Sequence, residues 1–218
     1  MNVADVILGS SAVVFDMDGV LIDSEPFHNK AGELALRRLE IDLPDEGFSR
    51  YTGWGIKDIH ADMASRYGIK VPFDRLFSES EKAIQEVFAD GAPSIDGAIE
   101  LVWLLHARGK ILALASSSSR QFVESTVERL GIRGFLIAVL NGQDVTRTKP
   151  DPQIYLLAAE RLGKKPAECV AIEDTDVGVA SAKAAGMTVV GYMNPHAHAT
   201  LEKADVVVDS FKELIKQF

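Results

Sequence analysis

Two aspartates, Asp16 and Asp18, follow a short apolar stretch and are themselves followed by Gly19. The stretch, residues 12–15, is rich in valine, which is typical of a strand buried on both faces. Carboxylates next to such a strand are costly to bury unless a cation compensates them. In an open parallel sheet, the carboxyl ends of the strands form the ligand crevice. The aspartate pair therefore predicts a metal-dependent site at this end of the strand.

The rest of the chain supplies the elements that position these aspartates. Residues from about 25 to 90 carry apolar side chains at helical spacing and predict a small helical unit. From residue 93 onward, short runs of Val, Ile, Leu and Ala alternate with helical stretches, which is typical of a parallel sheet covered by helices. The predicted fold class is α/β, a doubly wound and mostly parallel sheet. It is formed by residues 1–18 and 92–218, with residues 19–91 inserted. The predicted strands after the first are residues 111–115, 137–140, 170–172, 188–191 and 206–208.

Residues that could do chemistry follow four of these predicted strands. Besides the aspartates, they are Ser116 after the second strand, Lys149 shortly after the third, and Glu173 with Asp174 after the fourth. Acidic pairs suit Mg²⁺, which binds through oxygen ligands and also takes substrate phosphate and water. Hydroxyl, backbone N–H and ammonium groups donate to phosphate oxygens, and a carboxylate can attack a phosphoryl group. The combination predicts metal-assisted phosphoryl transfer.

Each of these signals also has a purely structural explanation. Aspartates form turns, a run of serines forms a polar loop, a lysine before a proline is commonly solvated, and acids cap helices. A calcium loop of the EF-hand type is excluded, because its glycine is the sixth residue, whereas Gly19 is the fourth counted from Asp16. The catalytic interpretation depends on all four groups falling at the same edge of the predicted sheet.

Composition and charge are typical of a soluble globular protein. The chain is 47% hydrophobic and 25% charged, which excludes wholesale disorder. Its formal net charge of −9 disfavours nucleic acid or an anionic membrane as the main partner. The single cysteine, Cys169, lies in an apolar run and predicts a buried structural thiol. Neither a signal-peptide pattern nor an apolar run of membrane-spanning length is present, so we expect a cytoplasmic protein, a monomer or a weak homo-oligomer.

As a set, these motifs resemble those of the haloacid dehalogenase superfamily. Residues 14–24 resemble its first motif, residues 114–116 the second, residues 149–152 the third, and residues 172–175 with 178–187 the fourth. The resemblance covers the whole predicted sheet region and is strongest to the branch of phosphatases and β-phosphoglucomutases. It implies a Rossmann-like core with residues 19–91 as a helical cap, and a small phosphorylated sugar or acid as substrate.

The resemblance also implies roles for the acidic residues. Asp16 would attack phosphorus and form an aspartyl-phosphate, and Asp18 would act as general acid and base. Mg²⁺ would be held by Asp16, by the backbone carbonyl of Asp18 and by Asp174. Glu173 would join it directly or through water. Dehalogenases depend neither on Mg²⁺ nor on a second aspartate, so Asp18 and the second acidic pair indicate phosphate chemistry.

Two further groups of residues follow from the resemblance. The groups that would bind phosphate all donate hydrogen bonds; they are Ser116, Ser117, Lys149 and the backbone N–H groups of Met17 and Asp18. Substrate selectivity would come from the cap and its surroundings, since closure of a cap excludes water and presents side chains to the leaving group. The candidates for this role are His28, Trp54, Lys57 and Ser118.

Hydrolysis and mutase transfer are the two alternatives for the reaction. In β-phosphoglucomutases, an arginine shortly after the glycine that matches Gly53 grips a second phosphate, whereas this chain has Ile56 there, beside Lys57. Isoleucine makes no bidentate phosphate contact, and lysine is only a point charge. His28 matches a cap-helix histidine of the mutases and keeps that alternative open. We predict a Mg²⁺-dependent phosphatase, with a mutase as the alternative and a non-catalytic binding protein as a third hypothesis.

Overall fold

The computed structural model describes residues 2–43, 47–51, 56–197 and 199–218. The chain divides into two compact units, which are Met1–Asp23 with Pro93–Phe218 and Ser24–Ala92. We call the first the sheet unit and the second the helical unit. The sheet unit contains every strand that the structure describes, and the helical unit contains three of the described helices. The assignment of the two units as catalytic core and cap stays a prediction.

One six-stranded parallel sheet forms the centre of the sheet unit. Its strands are β1 (Ala12–Phe15), β2 (Ile111–Ala115), β3 (Leu136–Leu140), β4 (Cys169–Glu173), β5 (Thr188–Tyr192) and β6 (Val206–Val208). They are ordered β3-β2-β1-β4-β5-β6, and all five neighbouring pairs are parallel. With its flanking helices, this sheet confirms the predicted α/β, doubly wound fold class.

Nine α-helices fall within the described ranges. They are α1 (Val3–Gly9), α2 (Glu25–Arg38), α3 (Ile56–Tyr67), α4 (Phe73–Val87), α5 (Ala98–Ala107), α6 (Arg120–Arg129), α7 (Gln153–Arg161), α8 (Asp176–Ala184) and α9 (Phe211–Ile215). Helices α2, α3 and α4 form the helical unit, around a cluster that includes Leu36, Tyr51, Ile59, Met63 and Leu76. Among the helices described, none combines the length and the apolar character that crossing a membrane requires.

Strand β1 is buried on both faces of the sheet. One face packs against α7 and α8 in a single apolar cluster, which includes Ala12, Val14, Tyr155, Ala158 and Val179. Because successive side chains of a strand point to opposite faces, Val13 and Phe15 lie on the other side, where they are equally buried. Double burial explains why this strand is a continuous apolar run without polar alternation.

Strand β4 is longer than the sequence predicts. The predicted strand ends at residue 172, whereas in the structure Glu173 is its last residue and pairs with Gly191 of β5. Cys169 begins the same strand and is buried, as predicted. Pairing with β5 therefore fixes the backbone of Glu173, and Asp174 is the first residue beyond the strand.

Helix α9 packs closely on the start of α5. Gly97 caps α5 in the left-handed conformation, with φ of +81°. A Cβ atom added there would lie 2.8 Å from the backbone nitrogen of Lys212. Gly109 also has a positive φ, +75°, yet nothing lies within 4 Å of a Cβ atom added to it. The two glycines therefore share the same backbone strain on substitution and differ only in crowding.

We predict that Gly97→Ala lowers the free energy of unfolding by about 1 kcal/mol more than Gly109→Ala does. Both variants place an alanine in a left-handed conformation, whereas only the alanine at position 97 displaces α9. Urea unfolding of the two variants beside the unsubstituted protein measures the difference. Equal losses in the two variants would show that the contact between Gly97 and Lys212 contributes nothing.

Candidate active site

Asp16 and Asp18 lie at the carboxyl end of the central strand. The backbone N–H of Asp16 donates to the carbonyl of Ile172, 3.0 Å away on β4, so Asp16 continues the pairing of β1. The chain then turns at Gly19, whose φ is +78°. A Cβ atom at Gly19 would collide with the carboxylate of Asp174. Glycine is therefore required there both by the turn and by the close approach of this acid.

The side chain of Lys149 joins the strand ends. It follows β3 in the chain, and its ammonium is buried, with 8% of the side chain exposed. It donates to Asp16 Oδ1 at 2.6 Å, to Glu173 Oε1 at 2.7 Å and to the carbonyl of Ala115 at 3.0 Å. An ammonium has three donors, and all three point to groups at the ends of β1, β4 and β2.

Both carboxylate oxygens of Glu173 accept hydrogen bonds. Oε1 accepts from Lys149 and from the hydroxyl of Tyr155, each at 2.7 Å. Oε2 accepts from the backbone N–H of Asp174 at 3.2 Å and from the hydroxyl of Thr175 at 3.3 Å. The side chain of Glu173 is 1% exposed. Its direction is therefore fixed by four donors, and it faces Lys149.

The pKa values of Asp16 and Asp174 are raised, and so is that of Lys149. Burial raises the pKa of Asp16 to about 8, against the opposing effect of the Lys149 charge. Burial, reinforced by the charges of Asp16 and Glu173, raises the pKa of Asp174 well above its usual range. Burial lowers the pKa of Lys149, but the two neighbouring carboxylates outweigh it and hold that pKa well above 10.5. One ammonium thus faces three buried carboxyl groups, so ionising all three requires further positive charge.

The three carboxylates fit a divalent cation. Oxygen atoms of Asp16, Glu173 and Asp174 all lie within 4.8 Å of one another, and the three residues are buried. Oδ1 of Asp174 is buried and has no hydrogen-bond partner among the residues that the structure describes. A buried polar atom without a partner is costly, whereas an all-oxygen set is what Mg²⁺ and Ca²⁺ prefer. The predicted metal-binding acids therefore come together in a site that suits such an ion.

The serine run after β2 lies beside Asp18. Ser118 donates from Oγ to Asp18 Oδ2 at 2.7 Å, and Ser116 donates to the same oxygen at 3.3 Å. The backbone N–H of Ser118 in turn donates to Ser116 Oγ at 3.0 Å. Ser117 is exposed, and Met17 is fully buried. Ser118 therefore holds the carboxylate of Asp18, and its predicted part in substrate selectivity stays a prediction.

The remaining specificity candidates belong to the helical unit. His28 lies in α2, with its ring 4.9 Å from the ring of Phe88. Lys57 is exposed at the second position of α3. Ile56, at the position where the mutases carry their phosphate-binding arginine, packs against the apolar cluster of the helical unit. Trp54 lies outside the described residues.

Two contributions to the site were missed by sequence reasoning. Asn194 follows β5, is buried, and donates from Nδ2 to the carbonyl of Gly19 at 2.9 Å. Its neighbour His196 lies with Nδ1 2.9 Å from Asp23 Oδ1. The rule that strand ends meet at one edge applies to β5 as well and would have pointed to this loop. The second contribution, the hydroxyl of Tyr155, left no signal, because the residue lies on the apolar face of α7.

Comparisons with known proteins show which sequences and structures this chain is similar to. A family model described as haloacid dehalogenase-like hydrolase matches residues 11–186. The chain is 32% identical to validoxylamine A 7'-phosphate phosphatase of Streptomyces hygroscopicus subsp. limoneus, over 92% of this chain and 94% of the relative. It is 28% identical to fructose-1-phosphate phosphatase of Escherichia coli strain K12, over 83% of this chain and 95% of the relative.

Solved structures of the same kind are similar over nearly the whole chain. CbbY from Rhodobacter sphaeroides, in complex with phosphate, superposes with a TM-score of 0.81 at 26% identity, covering 94% of this chain and 96% of that one. A structure titled putative β-phosphoglucomutase from Thermotoga maritima gives 0.76 at 27% identity, covering 95% and 97%. A mutase thus occurs among the similar structures, whereas the two relatives named above are phosphatases.

We predict that Lys149→Met lowers the free energy of unfolding by about 3–5 kcal/mol at pH 7, because it leaves buried carboxylates without their counter-charge. Adding Glu173→Gln to that variant removes one of these charges and should restore part of the loss. Urea unfolding in the presence of a chelator measures both. The single variant Glu173→Gln completes the comparison. If the double variant loses as much stability as the two single variants lose in total, the two side chains are not coupled.

Proposed function

Since the chain belongs to the haloacid dehalogenase-like hydrolase family, we propose that it hydrolyses a small phosphorylated metabolite through an aspartyl-phosphate on Asp16. Family membership and the phosphatase names of its relatives confirm the predicted enzyme class, a phosphomonoester hydrolase. The observation that carries the mechanism is the buried cluster in which Lys149 contacts both Asp16 and Glu173. Asp174 belongs to the same cluster, and its Oδ1 has no hydrogen-bond partner among the described residues.

In the first step, a carboxylate oxygen of Asp16 attacks phosphorus. A bond forms from this oxygen to phosphorus, the bond from phosphorus to the ester oxygen breaks, and Asp18 gives its proton to the departing alkoxide. Lys149 keeps its positive charge next to Asp16 Oδ1. This charge opposes the rise in the Asp16 pKa that burial causes and so favours the ionised nucleophile that this step needs. Hydrolysis of a small sugar phosphate or phosphorylated acid fits this chemistry.

In the second step, Asp18 takes a proton from water as the water attacks phosphorus. The bond between phosphorus and Asp16 breaks, and inorganic phosphate leaves. Ser118, at 2.7 Å from Asp18 Oδ2, holds this carboxylate through both steps. Negative charge on the phosphate oxygens is stabilised by positive charge and by hydrogen-bond donors. We assign the first role to the charge of Lys149 and the second to Ser116, Ser117 and the backbone N–H groups of Met17 and Asp18.

We assign the metal to the acidic side of the cluster. Asp16, Asp174 and the backbone carbonyl of Asp18 would hold Mg²⁺. Glu173 would contact it through water, because both of its oxygens already accept hydrogen bonds. When bound, Mg²⁺ supplies positive charge that orients the phosphate and stabilises negative charge on it in the transition state. The excess of carboxylates over ammonium groups supports this assignment.

We assign the helical unit the role of a cap that selects the substrate, with His28, Trp54 and Lys57 as candidates. The packing of Ile56 in the apolar cluster of that unit favours hydrolysis over mutase transfer, since the second phosphate of a mutase needs a cationic grip. The two relatives named above are phosphatases, one for validoxylamine A 7'-phosphate and one for fructose 1-phosphate.

The test is a screen of phosphorylated sugars and acids with Mg²⁺, in which released phosphate and isomerised product are both measured. We expect phosphate release, and a loss of at least about a thousandfold in Asp16→Asn, because an amide cannot serve as the nucleophile. Asp209→Asn is the matched control, since this exposed aspartate follows β6, and it should retain full activity. Circular dichroism checks that the variants are folded.

Three other results would contradict the proposal. Isomerisation of hexose phosphates without phosphate release would identify a mutase. Full activity in Asp16→Asn would exclude the aspartyl-phosphate. Failure of the unsubstituted protein to turn over any compound in the panel would favour a binding protein on the same fold.

Removal of the metal should abolish activity. We expect a chelator to lower phosphate release by at least about a hundredfold, and excess Mg²⁺ to restore it, because the metal compensates the buried carboxylates. In Asp174→Asn, calorimetry should show Mg²⁺ affinity weakened by about tenfold or more, since an uncharged amide is a weaker ligand for this hard cation. The Asp209→Asn variant should bind Mg²⁺ as the unsubstituted protein does. Full activity in chelator would rule out the metal site.

A further inference from the structure

Tyr155 is a polar residue in an apolar environment. It is the third residue of α7, is completely buried, and belongs to the cluster between this helix and the sheet. Burying a hydroxyl is costly unless it makes a hydrogen bond. Phenylalanine would fill almost the same space without that cost. The hydroxyl therefore needs a reason beyond packing.

That reason is Glu173. The hydroxyl of Tyr155 lies 2.7 Å from Glu173 Oε1, the same oxygen that accepts from Lys149. Burial and the charge of Glu173 raise the pKa of Tyr155 well above 10, so the hydroxyl remains protonated and is the donor. Oε1 is thus shared between two donors, and Lys149 does not hold this oxygen alone.

The ring of Tyr155 provides a second contact to the same ammonium. Lys149 Nζ lies 5.0 Å from the centre of the ring, within the range at which an aromatic face attracts a cation. Tyr155 therefore reaches Lys149 in two ways, directly through its ring and indirectly through Glu173. Neither contact involves Asp16, which accepts a separate hydrogen bond from the ammonium.

We propose that Tyr155 is a positioning residue for Lys149. Its hydroxyl fixes Glu173 Oε1 and its ring supports the ammonium, so that the positive charge stays beside Asp16 during phosphoryl transfer. The kinetic part of this inference rests on the proposed phosphatase function, whereas the position of the ammonium does not. Tyr155 of α7 thereby joins the residues that affect kcat.

The experiment compares Tyr155→Phe, which keeps the ring and removes the hydroxyl, with Tyr155→Met, which removes both. Tyr192→Phe is the matched control, because this tyrosine is also buried, ends β5 and stacks on Phe211, and its hydroxyl makes no hydrogen bond among the described residues. We expect kcat to fall about tenfold in Tyr155→Phe and further in Tyr155→Met, with KM changed by less than about twofold. Tyr192→Phe should keep the kcat and KM of the unsubstituted protein.

A second readout follows the ammonium itself. The NH₃⁺ group of a buried, hydrogen-bonded lysine gives a ¹H–¹⁵N correlation signal, which is assigned by its loss in Lys149→Met. We expect this signal to shift and to exchange faster with water in Tyr155→Phe, and to be unchanged in Tyr192→Phe. A merely structural role of Tyr155 would lower thermal stability and leave the signal of the folded protein in place.

The two readouts separate the possible failures. An unchanged signal in both Tyr155 variants, or equal kcat values for Tyr155→Phe and Tyr192→Phe, would overturn the positioning role. A shifted signal in a protein that releases no phosphate would overturn the proposed function and leave the positioning role intact. Because methionine adapts to irregular space, Tyr155→Met serves as the folded variant if Tyr155→Phe is not obtained.

Discussion

The site depends on one interaction, the burial of the Lys149 ammonium among groups from three strand ends. A buried charge is tolerated only when it is paired and hydrogen-bonded, and here Asp16, Glu173 and the carbonyl of Ala115 meet that requirement. The lysine and Asp16 are 133 residues apart in the chain. The fold therefore has to deliver a loop after β3 to the end of the central strand, and the positions of the neighbouring acids follow from this contact.

The sheet order is what makes the contact achievable. β1 lies between β2 and β4, so the chain continues to one side from β1 to β2 and β3, and to the other side through β4 and β5. Ligand crevices form where the strand order reverses in this way. Ser116 approaches Asp18 from the β2 side, while Glu173 and Asp174 approach Asp16 from the β4 side. The polar loop after β5 adds Asn194 to the site, where its side chain donates a hydrogen bond to the carbonyl of Gly19.

Much of this arrangement could be predicted from the sequence, because short apolar runs that end in polar residues mark the ends of buried strands. That rule placed Asp16, Ser116, Lys149 and Asp174 at one edge. It could not find Tyr155, since its spacing on α7 is that of an apolar helix face. The partner of its hydroxyl depends on how the helix is rotated against the sheet. Helix rotation and side-chain direction are set by packing, and packing leaves no recognisable pattern in a single sequence.

Glu173 and Asp174 show why adjacent acids are not equivalent. Successive side chains at a strand end point in different directions, so Glu173 faces Lys149 and Tyr155 while Asp174 faces Gly19. Four donors occupy the oxygens of Glu173, whereas Asp174 Oδ1 has no partner in the described part of the chain. One acid therefore orients the buried cation, and the other keeps an oxygen available. A single carboxylate could not both orient the buried cation and keep an oxygen available, because its two oxygens would be needed for both tasks.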